Sequence, residues 1–493
     1  MTVRSFRKVL IANRGEIALR VIRACRARAV ATVAVFSDAD HGALHVRAAD
    51  EAYRVGGPAA ADSYLNADAI VEAARRAGAD AVHPGYGFLA ENAAFAEACV
   101  RAGLAFIGPS AETLALCGDK ATTRARVAGA GIPVPPGTDA VDDAGAARAA
   151  ARLGFPLLIK AAAGGGGKGI HLVEEPSDLP GALRLARGEA QGAFGDDRVY
   201  LERWLDRPRH VEVQIVADAR GAVVHLGERE CSVQRRHQKL IEESPSPALT
   251  GALRDRMLEA AVAAARAVGY RNAGTVEFLL SNDAFYFLEI NARLQVEHPV
   301  TELVTGVDVV ALQLAVAAGA PLPVRQEEVR SRGHAIECRI SAEDVEHEFL
   351  PWVGRVDQVL LPGGPGIRVD GALAPGLEIT RFYDPLLAKI IAWGSTRPEA
   401  VDRMTGALRE TLVTGVPTTV PFHLWALAHP AFRSGNYTTR FVETEWGVRA
   451  RPAGWLAALA AAALADRGGR RPALLPPQAP SSWATAARRD GVT

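Results

Sequence analysis

Leu288-Glu289-Ile290-Asn291-Ala292-Arg293-Leu294-Gln295-Val296-Glu297 alternates apolar and hydrogen-bonding residues without a break. In an extended chain successive side chains point to opposite faces. One face is therefore apolar, and the other carries Glu289, Asn291, Arg293, Gln295 and Glu297. A solvated edge strand would show Thr, Lys or Ser there. Two carboxylates, two amides and a guanidinium are instead an inventory for a metal, a small anion and a general base. Fully extended at about 3.3 Å per residue, the polar set would reach about 27 Å, too far for one substrate. The segment is therefore expected to leave its sheet near Asn291 and curl back. Upstream, Gly274 to Leu280, the turn Ser281-Asn282-Asp283-Ala284 and Phe285 to Glu289 predict a hairpin with Asn-Asp at its tip. That register sets Glu277 opposite Glu289. Like charges across a strand pair are destabilising, and a shared Mg²⁺, a hard cation that takes oxygen ligands beside phosphates, resolves the conflict.

At 493 residues the chain exceeds one core and suggests about three domains. Its 49% hydrophobic and 23% charged content is that of a globular protein in water. The 56 basic residues balance 56 acidic ones, so no bulk charge points to nucleic acid or an anionic membrane as partner. No apolar run has the length of a membrane span, and Met1 to Asn13 lacks the apolar core of a signal peptide; a cytoplasmic location is expected. Cys25, Cys99, Cys117, Cys231 and Cys338 are scattered with no Cys-x-x-Cys pair and read as free thiols. Only six of the basic residues are lysine: Lys8, Lys120, Lys160, Lys168, Lys239 and Lys389. Lysine is a compact point charge and arginine a planar fork, so the exceptions mark places where the fork does not serve.

Along the chain, Lys8 to Ala12, Ala31 to Phe36, Ala81 to His83 and Ala105 to Ile107 are short strands separated by helices such as the one from Glu16 to about Arg28. Alternating strands and helices predict a Rossmann-like parallel sheet over residues 1–118. Its first turn, Ala12-Asn13-Arg14-Gly15-Glu16, has no G-x-G-x-x-G, which argues against a dinucleotide. A second unit, 119–330, contains a Pro/Gly hinge at Gly131 to Gly137 and a strand ending at Lys160. Ala161 to Gly169 follows, with four consecutive glycines, Gly164 to Gly167. Glycine lets backbone N–H groups approach phosphate oxygens, and lysines at each end add charge. The run is not a P-loop, since Gly169 replaces the Ser/Thr and Ala162 the first glycine. With Ile170 to Val173 beyond it, it predicts a strand-loop-strand lid over 134–203. Residues 331–446 read as a third, mostly β unit. A strand pair, Arg209 to Ala217 with Ala222 to Leu226, is expected before it. The tail 447–493 holds an Ala/Leu helix, Gly454 to Asp466, and a Pro/Ser/Ala stretch that cannot build a core.

Taken together, these strings resemble the biotin carboxylase family of the ATP-grasp superfamily. The matching residues are Asn13 to Ala18, His83 to Leu89, Gly118-Asp119-Lys120, the glycine loop, Arg209 to Glu212, Gln234 to Lys239, and Arg293-Leu294-Gln295-Val296-Glu297-His298-Pro299-Val300-Thr301-Glu302. The likeness covers about residues 4–445, and its last string is specific to enzymes that carboxylate biotin. Ala162, Ala163 and Lys168 depart from the common pattern of the loop.

The resemblance implies an α/β and α+β multidomain fold and an ATP- and bicarbonate-dependent ligase. In such enzymes carboxyphosphate delivers CO2 to biotin on a separate carrier protein. Residue by residue, it assigns Lys120, Lys160 and the Gly164, Gly165, Gly166 and Gly167 amides to phosphates, with the lysines neutralising charge on the leaving ADP. Glu202 and Leu205 frame the adenine, and His210, Gln234 and His237 lie near the ribose and phosphates. Glu277, Glu289 and Asn291 take Mg²⁺ or Mn²⁺. Arg293, Gln295 and the Val296 N–H clamp bicarbonate, and Glu297 is its base. Lys239 stabilises carboxyphosphate, Arg339 stabilises the biotin enolate, and Tyr86 falls on the biotin side, although a tyrosine there more often packs than contacts biotin.

Two other readings remain at this stage: another ATP-grasp ligase making an acyl phosphate for an amine, and a nucleotide-binding regulatory subunit. The Gln295 to Glu302 run opposes the first, and the intact set of metal and base residues the second. The implied setting is an acyl-CoA carboxylase of acetyl- or propionyl-CoA type, hence fatty acid biosynthesis, while longer acyl-CoA and pyruvate stay open as acceptors because similar domains serve them. The partners it implies are a biotin carboxyl carrier protein, a carboxyltransferase subunit, and a second copy in a homodimer or larger complex. No lysine follows Lys389 and the last methionine is Met404, so no Met-Lys-Met-like biotin attachment turn is present in this sequence. The chain is expected to carry no biotin. A streptavidin-reactive band at its mass after co-expression with a biotin ligase would refute this.

Overall fold

The computed structural model describes residues 6–162 and 170–447, apart from the Phe194 side chain. Gly164 to Gly167, Lys168 and the expected helix Gly454 to Asp466 lie outside the described residues.

Strands β1 (Lys8–Ile11), β2 (Ala31–Ser37), β3 (Glu51–Gly56), β4 (Ala81–His83) and β5 (Ala105–Phe106) form a sheet of order β3-β2-β1-β4-β5. Every pairing in it is parallel, as the strand-helix alternation predicts. The inner strands β1, β2 and β4 are buried on both faces, which is why they are near-continuous apolar runs, while the edge strand β3 alternates half-buried and exposed residues. Val9 and Ile11 enter one core with the helix Gly15–Arg26, and Leu10 and Ala12 enter another with Val33 and Val35. The turn after β1 is filled by its own side chain: Asn13 Nδ2 donates to the carbonyls of Pro84 (2.7 Å) and Tyr86 (2.8 Å). A Cβ on Gly85, at φ +65°, would meet that amide at 2.8 Å, so the close approach requires glycine.

The second sheet is built from β9 (Arg209–Ala217), β10 (Val223–Arg235), β11 (Gln238–Ser244), β12 (Asn272–Ser281) and β13 (Ala284–Asn291). It also takes in β14 (His334–Ser341), β15 (Ile367–Gly371) and β16 (Leu386–Gly394). Its order is β13-β12-β9-β10-β11-β14-β16-β15, antiparallel at every pairing. The β12–β13 hairpin turns at Asn282-Asp283, with Ser281 opposite Ala284, as expected. The helix Gly251–Ala267 packs its alanine-rich face on β10, β9 and β12. Val216, Val224, Ala273 and Leu294 share a core with Val9, Ile11 and the helix Val309–Ala317, which fixes the parallel sheet behind the antiparallel one. Pairing of β11 with β14, Glu242 opposite Glu337, carries the sheet across residues 330–331.

Between the sheets in sequence, β6 (Leu157–Ala161), β7 (Ile170–Val173) and β8 (Val199–Arg203) form a small antiparallel sheet of order β7-β6-β8. Helices Asp143–Leu153 and Leu179–Phe194 lie in the same unit, and Ala146, Ala149, Leu157, Ile159, Leu183 and Leu201 give it a core of its own. It meets the hinge through backbone bonds of Thr138 to Leu201 and of Arg203 to Pro136. A Cβ on Gly137 would stand 2.5 Å from the Leu201 carbonyl oxygen, so the hinge needs glycine. Among the described residues no single helix is long and apolar enough to cross a membrane. All five cysteines are buried and free.

A unit with a separate core, joined through a proline- and glycine-rich hinge, opens at lower cost than the sheet it borders. Amides of residues 138–203 should exchange faster than those of β9 and β12, and should gain protection when a non-hydrolysable ATP analogue is added. Equal protection with and without the analogue would count against a lid.

Candidate active site

The antiparallel register sets charged residues in a row across four strands. Arg229 on β10 faces Glu212 on β9, Glu212 faces Glu277 on β12, and Glu277 faces Glu289 on β13. Gln214, Thr275 and Asn291 form a second row beside it. Glutamates directly opposite one another repel, and cations answer each of them. Arg229, fully buried, donates to Glu212 (2.6 Å), Gln214 (2.7 Å), Thr275 (3.0 Å) and Thr301 (3.0 Å). His210 bonds Glu277 at 2.9 Å, and Lys120, the first residue of the helix Lys120–Gly129, reaches Glu289 at 2.7 Å.

Lys239 is the hub. Its ammonium lies 2.6 Å from Glu212, 3.0 Å from Glu277 and 2.6 Å from Glu297. It is the second residue of β11, just past the two-residue turn Arg236-His237, whose φ values of 48° and 66° are left-handed. A two-residue hairpin loop demands that hand, and the turn leaves His237 exposed at the tip. Partial desolvation of its ring and the positive charges of Lys160, His210 and Lys120 lower the His237 pKa, so the tip shares their field. Gln234, opposite Lys239, is buried beneath it.

The segment Leu288 to Glu297 behaves as its alternation predicts. β13 ends at Asn291, and the chain then turns away because Glu91 of the first unit accepts from the Ala292 N–H (3.1 Å) and from Arg293 Nε (2.8 Å). The rest of the Arg293 fork donates to Gln295 (3.0 Å) and Asn291 (3.1 Å). Gln295 in turn donates to Glu277 at 3.3 Å. Glu297 is fully buried between Lys239 and Arg339, the latter at 2.9 Å, while Arg339 also pairs with Glu242 at 2.5 Å.

Not every expected residue joins this cluster. Lys160 pairs with Glu202 within the small sheet, and Leu205 is half-buried just past β8. Tyr86 donates its hydroxyl to Glu16 and packs in the core behind the site. The sequence reading assigns no role to Glu212, Arg229, Glu242 or Glu91. A signal exists for Glu212, since His210, Glu212 and Gln214 alternate with Val211, Val213 and Ile215 in the same period as residues 288–297. For a divalent metal, Glu277 and Glu289 stand opposite each other with Asn291 two residues further along β13, and their carboxylate and amide oxygens suit a hard cation.

Three family models match in succession. They are the biotin carboxylase N-terminal domain over residues 5–114, the ATP-binding domain of the carbamoyl-phosphate synthase L chain over 119–325, and the biotin carboxylase C-terminal domain over 337–444. A pyruvate carboxylase subunit of Methanothermobacter thermautotrophicus is 52% identical over 440 residues, 89% of this chain and 90% of that one. Biotin carboxylase of a Nostoc species is 51% identical over 441 residues, 89% of this chain and 99% of that one. The chain belongs to the biotin carboxylase family. A crystal structure of the biotin carboxylase domain dimer of Hydrogenobacter thermophilus 2-oxoglutarate carboxylase, with MgADP, ADP and bicarbonate, matches with a TM-score of 0.88. It is 46% identical over 91% of this chain and 99% of that one. As a biotin carboxylase, the protein is an ATP-dependent ligase built on an ATP-grasp fold.

Burial would raise the Glu297 carboxyl, but Lys239, Arg339 and Arg229 outweigh it and hold it well below the ordinary carboxylate range. Glu277 is held down likewise by Lys239 and His210 against its burial. Glu212 differs: burial, with the charges of Glu297 and Glu277 beside it, outweighs Arg229 and Lys239 and lifts it to about 7. Of these three carboxyls, Glu212 is therefore the one that gains a proton most easily.

A carboxyl whose native pKa is raised contributes stability that is fully present below its unfolded value and is lost as the pH rises through the native one. The window for Glu212 runs from about 4.5 to about 7. Chemical denaturation of Glu212→Gln should lose about 2 kcal/mol less stability than wild type between about pH 5.5 and about pH 8. Parallel pH profiles would show that Glu212 is ionised throughout.

Proposed function

We propose that the Lys239–Glu297–Arg339 triangle is where bicarbonate is activated, with Glu297 as its base. The observation that carries this reading is the burial of Glu297 between two cations, both of which reach it. Those cations, with Arg229, hold its pKa down. An anion that draws Lys239 or Arg339 toward itself leaves Glu297 governed more by burial, and its basicity rises when substrate arrives. Arg293, Gln295 and the Val296 N–H offer a fork and two further donors for a planar anion on the same turn. Lys120, Lys160 and the glycine loop serve the phosphates, His210, Gln234 and His237 the nucleotide, and Glu202 and Leu205 the adenine. Glu277, Glu289 and Asn291 would hold Mg²⁺ or Mn²⁺, which would supply charge to neutralise the phosphates. Lys239 remains to stabilise carboxyphosphate, and Arg339 the enolate oxygen of biotin presented by a separate carrier protein.

For the acceptor, the reading is an acyl-CoA carboxylase that pairs this chain, as a homodimer, with a biotin carboxyl carrier and a carboxyltransferase. A relative named simply biotin carboxylase, matched over 99% of its own length, supports a carboxylase subunit that works with separate chains. A 2-oxo acid acceptor is the second reading, favoured by the relatives named for pyruvate carboxylase and 2-oxoglutarate carboxylase. The carboxyltransferase that co-purifies with the chain separates the two.

ATP hydrolysis by the purified chain should be Mg²⁺-dependent and stimulated by bicarbonate and free biotin, and a rate indifferent to both would sink the proposal. Glu297→Gln should keep nucleotide affinity while losing bicarbonate-dependent turnover by about 10²- to 10⁴-fold, the usual cost of a missing base. A variant rate near that of wild type would make Glu297 a structural carboxylate.

A further inference from the structure

Lys389 has no place in the assignments above. It is fully buried on β16, opposite Arg339 on β14 and Asp370 on β15. Taking an ammonium out of water costs several kcal/mol unless its partners compensate, so its contacts define what it is for. Nζ donates to the Val296 carbonyl at 2.6 Å and lies 3.1 Å from Glu16 Oε1. Glu16 stands in the first turn of the helix Gly15–Arg26 and also accepts the Tyr86 hydroxyl. One ammonium therefore ties together the first helix, the turn at residues 295–297 and a strand of the third unit.

That turn consists of two successive peptide groups, and each has its carbonyl captured. The Gln295 carbonyl accepts from His298 at 2.9 Å, which places the proton on His298 Nδ1 because a carbonyl can only accept. The Val296 carbonyl accepts from Lys389. In a planar trans peptide the N–H points away from the C=O. His298 thus sets the direction of the Val296 N–H, and Lys389 sets the peptide that leads into Glu297.

We propose that Lys389 is a positioning residue for bicarbonate: anchored on Glu16, it holds the Val296–Glu297 peptide so that the Glu297 carboxylate converges on one anion with the Gln295 amide and the Val296 N–H that His298 directs. The inference rests on the bicarbonate reading of this turn. It also explains why a lysine stands here in an arginine-rich chain. One carbonyl oxygen and one carboxylate oxygen on different elements ask for a point donor, whereas a guanidinium would bring a planar fork into a space already faced by Arg339. Glu337 on β14 and Asp370 on β15 also face the ammonium, and the ion pair of Asp370 with Arg368 leaves Glu16 as the carboxylate bonded to it.

The test uses the full chain. Lys389→Met alone would strand Glu16, so it is combined with Glu16→Gln, which keeps the pocket neutral. Steady-state ATPase is measured against bicarbonate at saturating ATP, and against ATP at saturating bicarbonate. In the double variant the KM for bicarbonate should rise by about 10- to 100-fold, the usual cost of removing a partner behind a ligand-binding group, while the KM for ATP stays within about twofold. A wild-type KM for bicarbonate overturns the inference. So does a variant that fails to fold, or one that loses ATP and bicarbonate affinity in equal proportion, since either makes Lys389 a stability residue. A wild-type enzyme that ignores bicarbonate would overturn the functional reading itself, and this inference with it.

Discussion

Carboxylates buried side by side can share one pocket only if cations are threaded between them. Glu212, Glu242, Glu277 and Glu297 are all buried, and the antiparallel register puts Glu212 and Glu277 face to face. Desolvation of each charge costs several kcal/mol, and removing one partner of such a set is strongly destabilising. Lys239, bonded to three of these carboxylates, and Arg339, bonded to two, are what make the arrangement possible. Around them the sheet needs Arg229 at full burial, His210 on Glu277 and Lys120 on Glu289. In the proposed reaction the same cations attract the anionic substrates, so the resting cluster is a balanced site in which protein carboxylates occupy the donors that phosphate and bicarbonate later claim.

Much of this is legible in the sequence where the signal is local. The alternation from Leu288 to Glu297, the Asn282-Asp283 tip and the parallel first unit follow from the two-residue side-chain period and from turn chemistry. Three failures have physical causes. β9 carries the same alternation as β13, yet in the sequence Glu212 is one more polar residue, because its meaning depends on which strands flank it. The sequence predicts a strand ending near Leu226; β10 continues to Arg235 through register irregularities at His225/Glu228 and Glu230/Val233, and these hide the alternation that would have exposed Arg229. Glu91 lies 202 residues from Arg293, and no local pattern links a loop carboxylate to a partner so distant.

The third unit reads as a region following the ATP-grasp region, and in sequence it is. In space, β14 and β16 continue the sheet that begins at β13. A cross-strand pairing between segments about ninety residues apart leaves no trace in composition or periodicity, and only the paired backbone reveals it.

That continuity limits how this protein can be recombined. Arg339 comes from β14 and Lys389 from β16, and β14 is zipped to β11 by the register from Ile241–Cys338 to Ser244–Ala335. A C-terminal segment grafted from another carboxylase would therefore not arrive as an independent cassette. It would bring new side chains into the pocket and would have to re-form half of a shared β-ladder in register. Chimeras built at residue 330 would test compatibility of the two halves of one sheet before they tested anything about acceptor choice.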